Sequence, residues 1–167
     1  MRFMGLKYGH IPGAPDRLNH HQSSDMTDQK HTTSDLDRFW KELACTVAAG
    51  NFAAYSNHYH EDAVYVSALS GECHPIKQAL LGWQDGFAKT RAGRRSTNVQ
   101  FRFTQRLHNA DTAHETGIFC YTSHEGLENP VVLCVHFEAL LVRKNDWKIL
   151  MEYQKESATE AQWAQLG

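Results

Sequence analysis

The chain has 167 residues, 41% of them hydrophobic, and a formal net charge of −2 at pH 7. That length suits one domain with a substantial core. So small a charge gives no electrostatic case for nucleic acid or for an anionic membrane surface, and no apolar run is long enough to span a bilayer.

Residues 1–33 differ in character from the rest of the chain. Pro12, Gly13 and Pro15 break the chain early, and a polar run surrounds His20-His21-Gln22-Ser23-Ser24. Without apolar periodicity, this stretch is predicted to be a flexible arm preceding a single folded domain over 34–167. Met1 to Asp25 lacks the apolar core of a secretory signal, so the cytoplasm is the expected location. His10, His20, His21 and His31 are irregularly spaced and lack cysteine or carboxylate partners, and no metal site is predicted.

Ser34 is a suitable N-cap for a first helix. Leu36, Phe39, Trp40, Leu43 and Val47 then recur at three- and four-residue intervals, which puts one stripe against a core. Gly50 suits the left-handed end of that helix, and Asn51 the N-cap of a short second one. Phe52 and Tyr55 give this second helix an apolar face, with Tyr59 one turn on. After the polar run His60-Glu61-Asp62, Ala63 to Val66 reads as a strand. His58, His60 and Asp62 alternate on an irregular loop and point apart, a poor metal cluster. His74-Pro75 opens a third helix with a stripe of Ile76, Ala79, Leu80, Trp83 and Phe87, and Gly93 ends the region. Arg91, Arg94 and Arg95 come next, in what reads as a solvated turn.

Beyond Arg95 the period changes to two. Val99-Gln-Phe101-Arg-Phe103 alternates strictly, and further strands are expected over Ala113 to Ser123, Val131 to Arg143 and Trp147 to Glu156. Lys144-Asn145-Asp146 forms a hairpin turn. A final amphipathic stretch, Ala158 to Leu166, contains Trp163. Cys45, Cys73, Cys120 and Cys134 show no paired spacing, and three fall inside predicted elements, as small buried thiols do. A reducing compartment fits them, with their connectivity left open.

The block AAGNFAAYSNHYHEDAVYV, Ala48 to Val66, resembles the entry of the nuclear transport factor 2-like superfamily, in its SnoaL-like and ketosteroid isomerase-like branch. The likeness continues in PIKQALLGWQDGF (Pro75 to Phe87) and NDWKILMEYQKES (Asn145 to Ser157). The resemblance implies an α+β cone: a strongly curved, mainly antiparallel sheet wrapped by about three N-terminal helices around a ligand cavity. It also implies where ketosteroid isomerase chemistry would fall. The general base would stand at Ser67 and the oxyanion-hole tyrosine at Leu43, neither of which can do that work. The family's protonated acid falls near Glu138.

Strand parity offers another acid–base set. Along Val131 to Arg143 one face carries Cys134, His136, Glu138 and Leu140. On the last strand Lys148, Leu150, Glu152 and Gln154 share a face, against Trp147, Ile149, Met151 and Tyr153. Catalytic residues are therefore expected at Glu138, Glu152 and His136, near one another beneath an apolar roof, where they would perturb one another's pKa. Tyr55, Tyr59, Tyr65, Ser67, Trp83 and Phe87 are expected to shape the substrate pocket. The opposite face, with Trp147, Ile149, Met151, Val135 and Phe137, is expected to carry homodimerisation through the sheet.

The function expected is binding of an apolar small molecule, with cofactor-free acid/base isomerase, cyclase or hydrolase activity. The alternative is a non-catalytic ligand-binding or dimeric assembly module, and a third possibility is an accessory domain whose cavity is filled by its own side chains. No motif calls for a cofactor, and neither nucleic acid nor membrane is an expected partner.

Overall fold

The computed structural model of the chain describes residues 21–166. Its first helix, α1 (His21–Ala48), buries the stripe of Leu36, Phe39, Trp40, Leu43 and Val47. The helix already covers residues 21–33, ahead of the expected start at Ser34, and Thr32 is buried at 5% exposure. Polar residues lacking periodicity carry no start signal of their own. A helix nucleated on a packed stripe nevertheless propagates back through them at little cost per residue. Residues 21–33 of the predicted arm thus belong to α1, and residues 1–20 lie outside the described residues.

Gly50, at φ 63°, ends α1, and the Asn51 side chain accepts the Ala54 N–H at 3.1 Å to cap α2 (Phe52–Ser56). β1 (Tyr59–Ser67) leads into a short edge strand, β2 (Glu72–Pro75), which the sequence pattern does not signal. Pro75, the expected first helical residue, is instead the N-cap of α3 (Ile76–Arg91), which starts one residue later. Four long strands complete the sheet: β3 (Arg95–His108), β4 (Thr112–Glu125), β5 (Val131–Arg143) and β6 (Trp147–Ser157). The sheet is open and ordered β2-β1-β6-β5-β4-β3, in which β1 and β6 run parallel and every other pair is antiparallel. Helices α1 to α3 pack inside the curve, so the architecture is the expected α+β cone.

The terminal helix α4 (Glu160–Gln165) is held by a capping box between Thr159 and Gln162. Arg102 anchors it, donating from Nη1 to the Trp163 carbonyl at 2.6 Å with its guanidinium 4.0 Å from the Trp163 ring centroid. Cys120 and Cys134 pair across β4 and β5 and are joined as a disulfide, while Cys45 and Cys73 are free and exposed. Sequence spacing could not reveal this pair, because its partners become neighbours only through strand register.

The faces of β6 differ from strict alternation. Leu141 pairs with Ile149 but Leu140 with Met151, so Leu150 is an extra residue on β6. Such a bulge reverses parity beyond it. Trp147 and Ile149 therefore face the core together with Glu152 and Gln154, while Met151 and Tyr153 turn outward. Val135 and Phe137, at 0% and 2% exposure, are also core. The outer apolar face expected from Trp147, Ile149, Val135 and Phe137 is thus corrected. Its actual members are Val64, Val66, Leu140, Met151 and Tyr153, joined by the pairs Val64–Met151, Val66–Tyr153 and Leu140–Met151.

Candidate functional site

The cone encloses a cavity of about 460 Å³, a size that suits a small organic ligand. Its wall is mostly aromatic. Tyr55 and Phe87 stand with ring centroids 4.8 Å apart, and Tyr65 meets Trp83 edge-on at 5.4 Å. Trp40 from α1 packs on Phe101 of β3 at 4.6 Å, and Phe119 and Tyr121 complete the sheet side. Gly82 and Gly86 both line the cavity from α3, and a Cβ at Gly82 would meet nothing within 4 Å. Where bulky residues would fill the cone, this helix face leaves space.

The Glu152 carboxyl group looks into that apolar space, while Asp85 also lines the cavity from α3. Glu152 and Gln154 both line the cavity from β6, and Glu152 pairs with Ala139 on one side and Tyr65 on the other. The Tyr59 hydroxyl donates to Glu152 Oε2 at 2.5 Å, and Gln154 Nε2 donates to Oε1 at 2.8 Å. The Tyr55 hydroxyl lies 2.9 Å from that of Tyr59. Since Tyr59 spends its proton on the carboxylate, Tyr55 donates to Tyr59, and the three groups form a directed chain.

Burial shifts every group in this chain. It raises the Glu152 pKa above the usual carboxylate value, against the smaller lowering effects of the Tyr59 and Gln154 hydrogen bonds. Burial also pushes Tyr59 and Tyr55 well above the ordinary phenol value, with the nearby Glu152 charge as the next cause. Among the described residues no cation pairs with Glu152. A carboxylate that water and counter-ions do not stabilise is a stronger base, and two hydroxyls stand ready to share its charge.

Six of the nine sequence-predicted site residues meet in or beside the cavity. Tyr55, Tyr59, Tyr65, Trp83, Phe87 and Glu152 all line it. Ser67 is buried at 3% exposure but accepts the Ser70 N–H in the turn after β1, and it does not line the cavity. Glu138 and His136 are corrected. Phe137 and Ala139 hold the inner positions of β5, so their neighbours face outward. Glu138 accepts Lys155 Nζ at 2.8 Å and lies 3.5 Å from His114 Nε2. The Lys155 hydrogen bond holds its pKa below the ordinary carboxylate value, the opposite of Glu152. His136 pairs with Glu156, and its buried Nε2 has no hydrogen-bond partner among the described residues.

The turn before β1 and the start of that strand spread their candidate ligands, so His60 and Asp62 stand on a strand and not on the expected irregular loop. His58 Nδ1 is 2.9 Å from the Ala54 carbonyl, whereas His60 Nδ1 is 3.7 Å from Asp62. No three metal-ligating side chains converge among the described residues.

The structure adds a second buried acid, which in the sequence is an ambiguous strand residue. Glu115, at 0% exposure, accepts from Trp40 Nε1 and, at 2.5 Å, from Arg106 Nε. Arg106 also pairs with Asp37. The available signal was parity: Ala113, Glu115, Gly117 and Phe119 share one face, three of them suited to a core.

No family model matches the sequence, and neither does any curated protein. Solved structures do. The fold is similar to an NTF-2 like protein of unknown function from Shewanella oneidensis, with a TM-score of 0.58 and 15% identity, over 75% of this chain and 99% of that one. It is similar to a ketosteroid isomerase-like protein from Erwinia carotovora, with a TM-score of 0.54 and 10% identity, over 75% and 95%. The beta subunit of benzoate 1,2-dioxygenase from Burkholderia mallei aligns with a TM-score of 0.60 and 15% identity, over 73% and 88%. An open six-stranded sheet closed by helices around an aromatic cavity defines a conical α+β architecture. It is the nuclear transport factor 2-like fold. At these identities the likeness is one of fold, and chemistry has to come from the site.

Proposed function

We propose that this protein binds an apolar, ring-bearing small molecule and moves a proton on it without a cofactor, as an isomerase, cyclase or hydrolase does. Glu152 is the base. In its ionised form it takes a proton from the ligand, holds it as a carboxylic acid, and returns it at a second position. Tyr59 and Tyr55 keep the carboxylate oriented and share its charge. Tyr65, Trp83 and Phe87 hold the ligand's rings. The observation that carries this reading is a carboxyl group without a counter-cation among the described residues, set among aromatic side chains in an open cavity.

The reading is tested by incubating the protein in D2O with a panel of aryl ketones and following deuterium uptake beside the carbonyl by NMR. Uptake with wild type, and its loss by at least tenfold in Glu152→Gln, is the expected result. Equal uptake by both proteins would remove Glu152 from the chemistry.

The same reading includes self-association through the outer face of β1, β5 and β6. Support comes from the partly exposed apolar row of Val64, Leu140 and Met151, and from the similarity to a protein that is itself a subunit. Light scattering should give a dimer mass, and Met151→Lys should give a monomer.

A further inference from the structure

At the end of the cavity away from Glu152, the aromatic lining gives way to charge. The last turn of α3 and the start of β3 bring Lys89, Thr90, Arg95 and Thr97 together there, and all four line the cavity. The Lys89 and Arg95 side chains keep 32% and 29% exposure, which marks this end as the opening. Their carboxylate neighbours are Asp85 and Glu125. Lys89 Nζ stands 3.4 Å from Asp85 and 3.6 Å from Glu125, with no hydrogen bond to either. Arg95 Nε is 3.2 Å from Glu125 Oε2 but misaligned, and this buried donor has no acceptor among the described residues. Arg91 and Arg94 stand beside them, exposed, and Glu128 lies in the β4–β5 turn.

The backbone makes room for this arrangement. A Cβ at Gly86 would come within 3.2 Å of Arg95 Nη1, so the bare helix face is what lets the guanidinium lie across α3 at the opening. A partly exposed guanidinium whose buried Nε has no aligned acceptor among the described residues, at the mouth of an apolar cavity, is suited to the anionic end of a ligand, whose carboxylate or sulfonate takes aligned, paired hydrogen bonds. Glu125, fixed at a strand end, does not provide that alignment.

We propose that the cavity selects an amphipathic ligand, a flat apolar ring system bearing one anionic group, with Arg95 and Lys89 gripping the anion at the opening and the rings reaching toward Glu152. This rests on the reading of the cavity as a ligand site and adds the class of ligand. Arg95 and Lys89 are specificity residues that do not touch the reacting atoms.

Two fluorescent probes separate the anion grip from the cavity itself. N-phenyl-1-naphthylamine and 8-anilinonaphthalene-1-sulfonate share one ring system and differ by the sulfonate. In low salt, wild type is expected to bind the sulfonated probe about five- to tenfold more tightly, the scale of partly exposed charge-assisted hydrogen bonds. Arg95→Gln should abolish that preference and leave the neutral probe's affinity unchanged, and Glu125→Gln should increase it. Gly82→Leu, whose Cβ enters open space at the cavity wall, should weaken both probes. If the neutral probe binds and is weakened by Gly82→Leu, but the sulfonate preference is absent or survives Arg95→Gln, the anion grip is overturned and the cavity reading stands. If neither probe binds, or Gly82→Leu changes nothing, the cavity reading fails and the grip falls with it.

Discussion

Glu115 and Glu152 stand in one row of the sheet, on either side of Ala139, and among the described residues only Glu115 meets a cation. Arg106 and Trp40 give Glu115 two donors, one on each oxygen. Glu152 has Tyr59 and Gln154, both uncharged. The same residue type thus serves two ends: one acid ties α1 to the sheet, and the other is left chemically available.

The first prediction rests on that difference. In Glu115→Gln the new NH2 must face either the Trp40 N–H or the Arg106 N–H, and Arg106 loses its most buried partner. Breaking a buried ion pair on one side should cost about 3 kcal/mol, read as a lower urea midpoint. Glu152→Gln meets no such conflict, because the Gln154 amide can flip and the Tyr59 hydroxyl can rotate. Equal losses in the two variants would contradict the assignment of roles.

A second prediction concerns pH. Burial raises the folded-state pKa of Glu152 above its unfolded value near 4.5. Between those values the folded protein holds a proton that the unfolded chain has released. The stability of this site is therefore fullest below the unfolded pKa and is lost as pH rises through the folded one. Glu152→Gln should match wild type near pH 4 and gain on it as pH climbs toward neutrality. In thermal melts across that range, a gap that narrows with rising pH would reverse the sign and refute the shift.

The Tyr59 hydrogen bond opposes this shift, since it favours the charged carboxylate. Tyr59→Phe should move the Glu152 titration further upward. Carbon-detected NMR of the side-chain carboxyl gives the midpoint directly. A midpoint that stays fixed or falls would show that the hydroxyl contributes nothing to holding the charge.

How far the sequence could be read depended on how local each signal was. The Gly50–Asn51 junction, the stripes of α1 and α3, and the long alternating strands are set by neighbours within a few residues, and the structure has them. The fold came from these together with the resemblance of the Ala48–Val66 block. Glu138 and His136 were misplaced for a different reason. Strand parity is local, but which face is inner is decided by the whole sheet, and the extra residue Leu150 resets parity midway along β6. The pairing of Cys120 with Cys134 likewise depends on β4–β5 register, which no spacing rule encodes.

That disulfide is open to direct chemical test. Denatured protein treated with N-ethylmaleimide without reductant should take two adducts, at Cys45 and Cys73, and four after reduction. Replacing both Cys120 and Cys134 by alanine should lower stability by about 3 kcal/mol, the scale for a loop of this length. Four adducts before reduction would mean that the strands pair without the bond.

Two glycines separate backbone strain from crowding. Gly50 and Gly93 both have left-handed backbones, at φ 63° and 70°. A Cβ at Gly93 meets nothing within 4 Å, whereas at Gly50 it would fall 2.4 Å from Arg91 N and 2.7 Å from the Phe87 carbonyl oxygen. Gly93→Ala should therefore cost only the conformational penalty, about 1 kcal/mol. Gly50→Ala adds a clash with backbone that cannot swing aside, and should cost about 3 kcal/mol or more. Because the clash presses on α3 beside Phe87, it should also disturb the cavity wall, so that probe binding weakens in Gly50→Ala and not in Gly93→Ala. Similar urea midpoints for the two variants would mean that the ends of α1 and α3 are not in the close contact on which the cavity's shape depends.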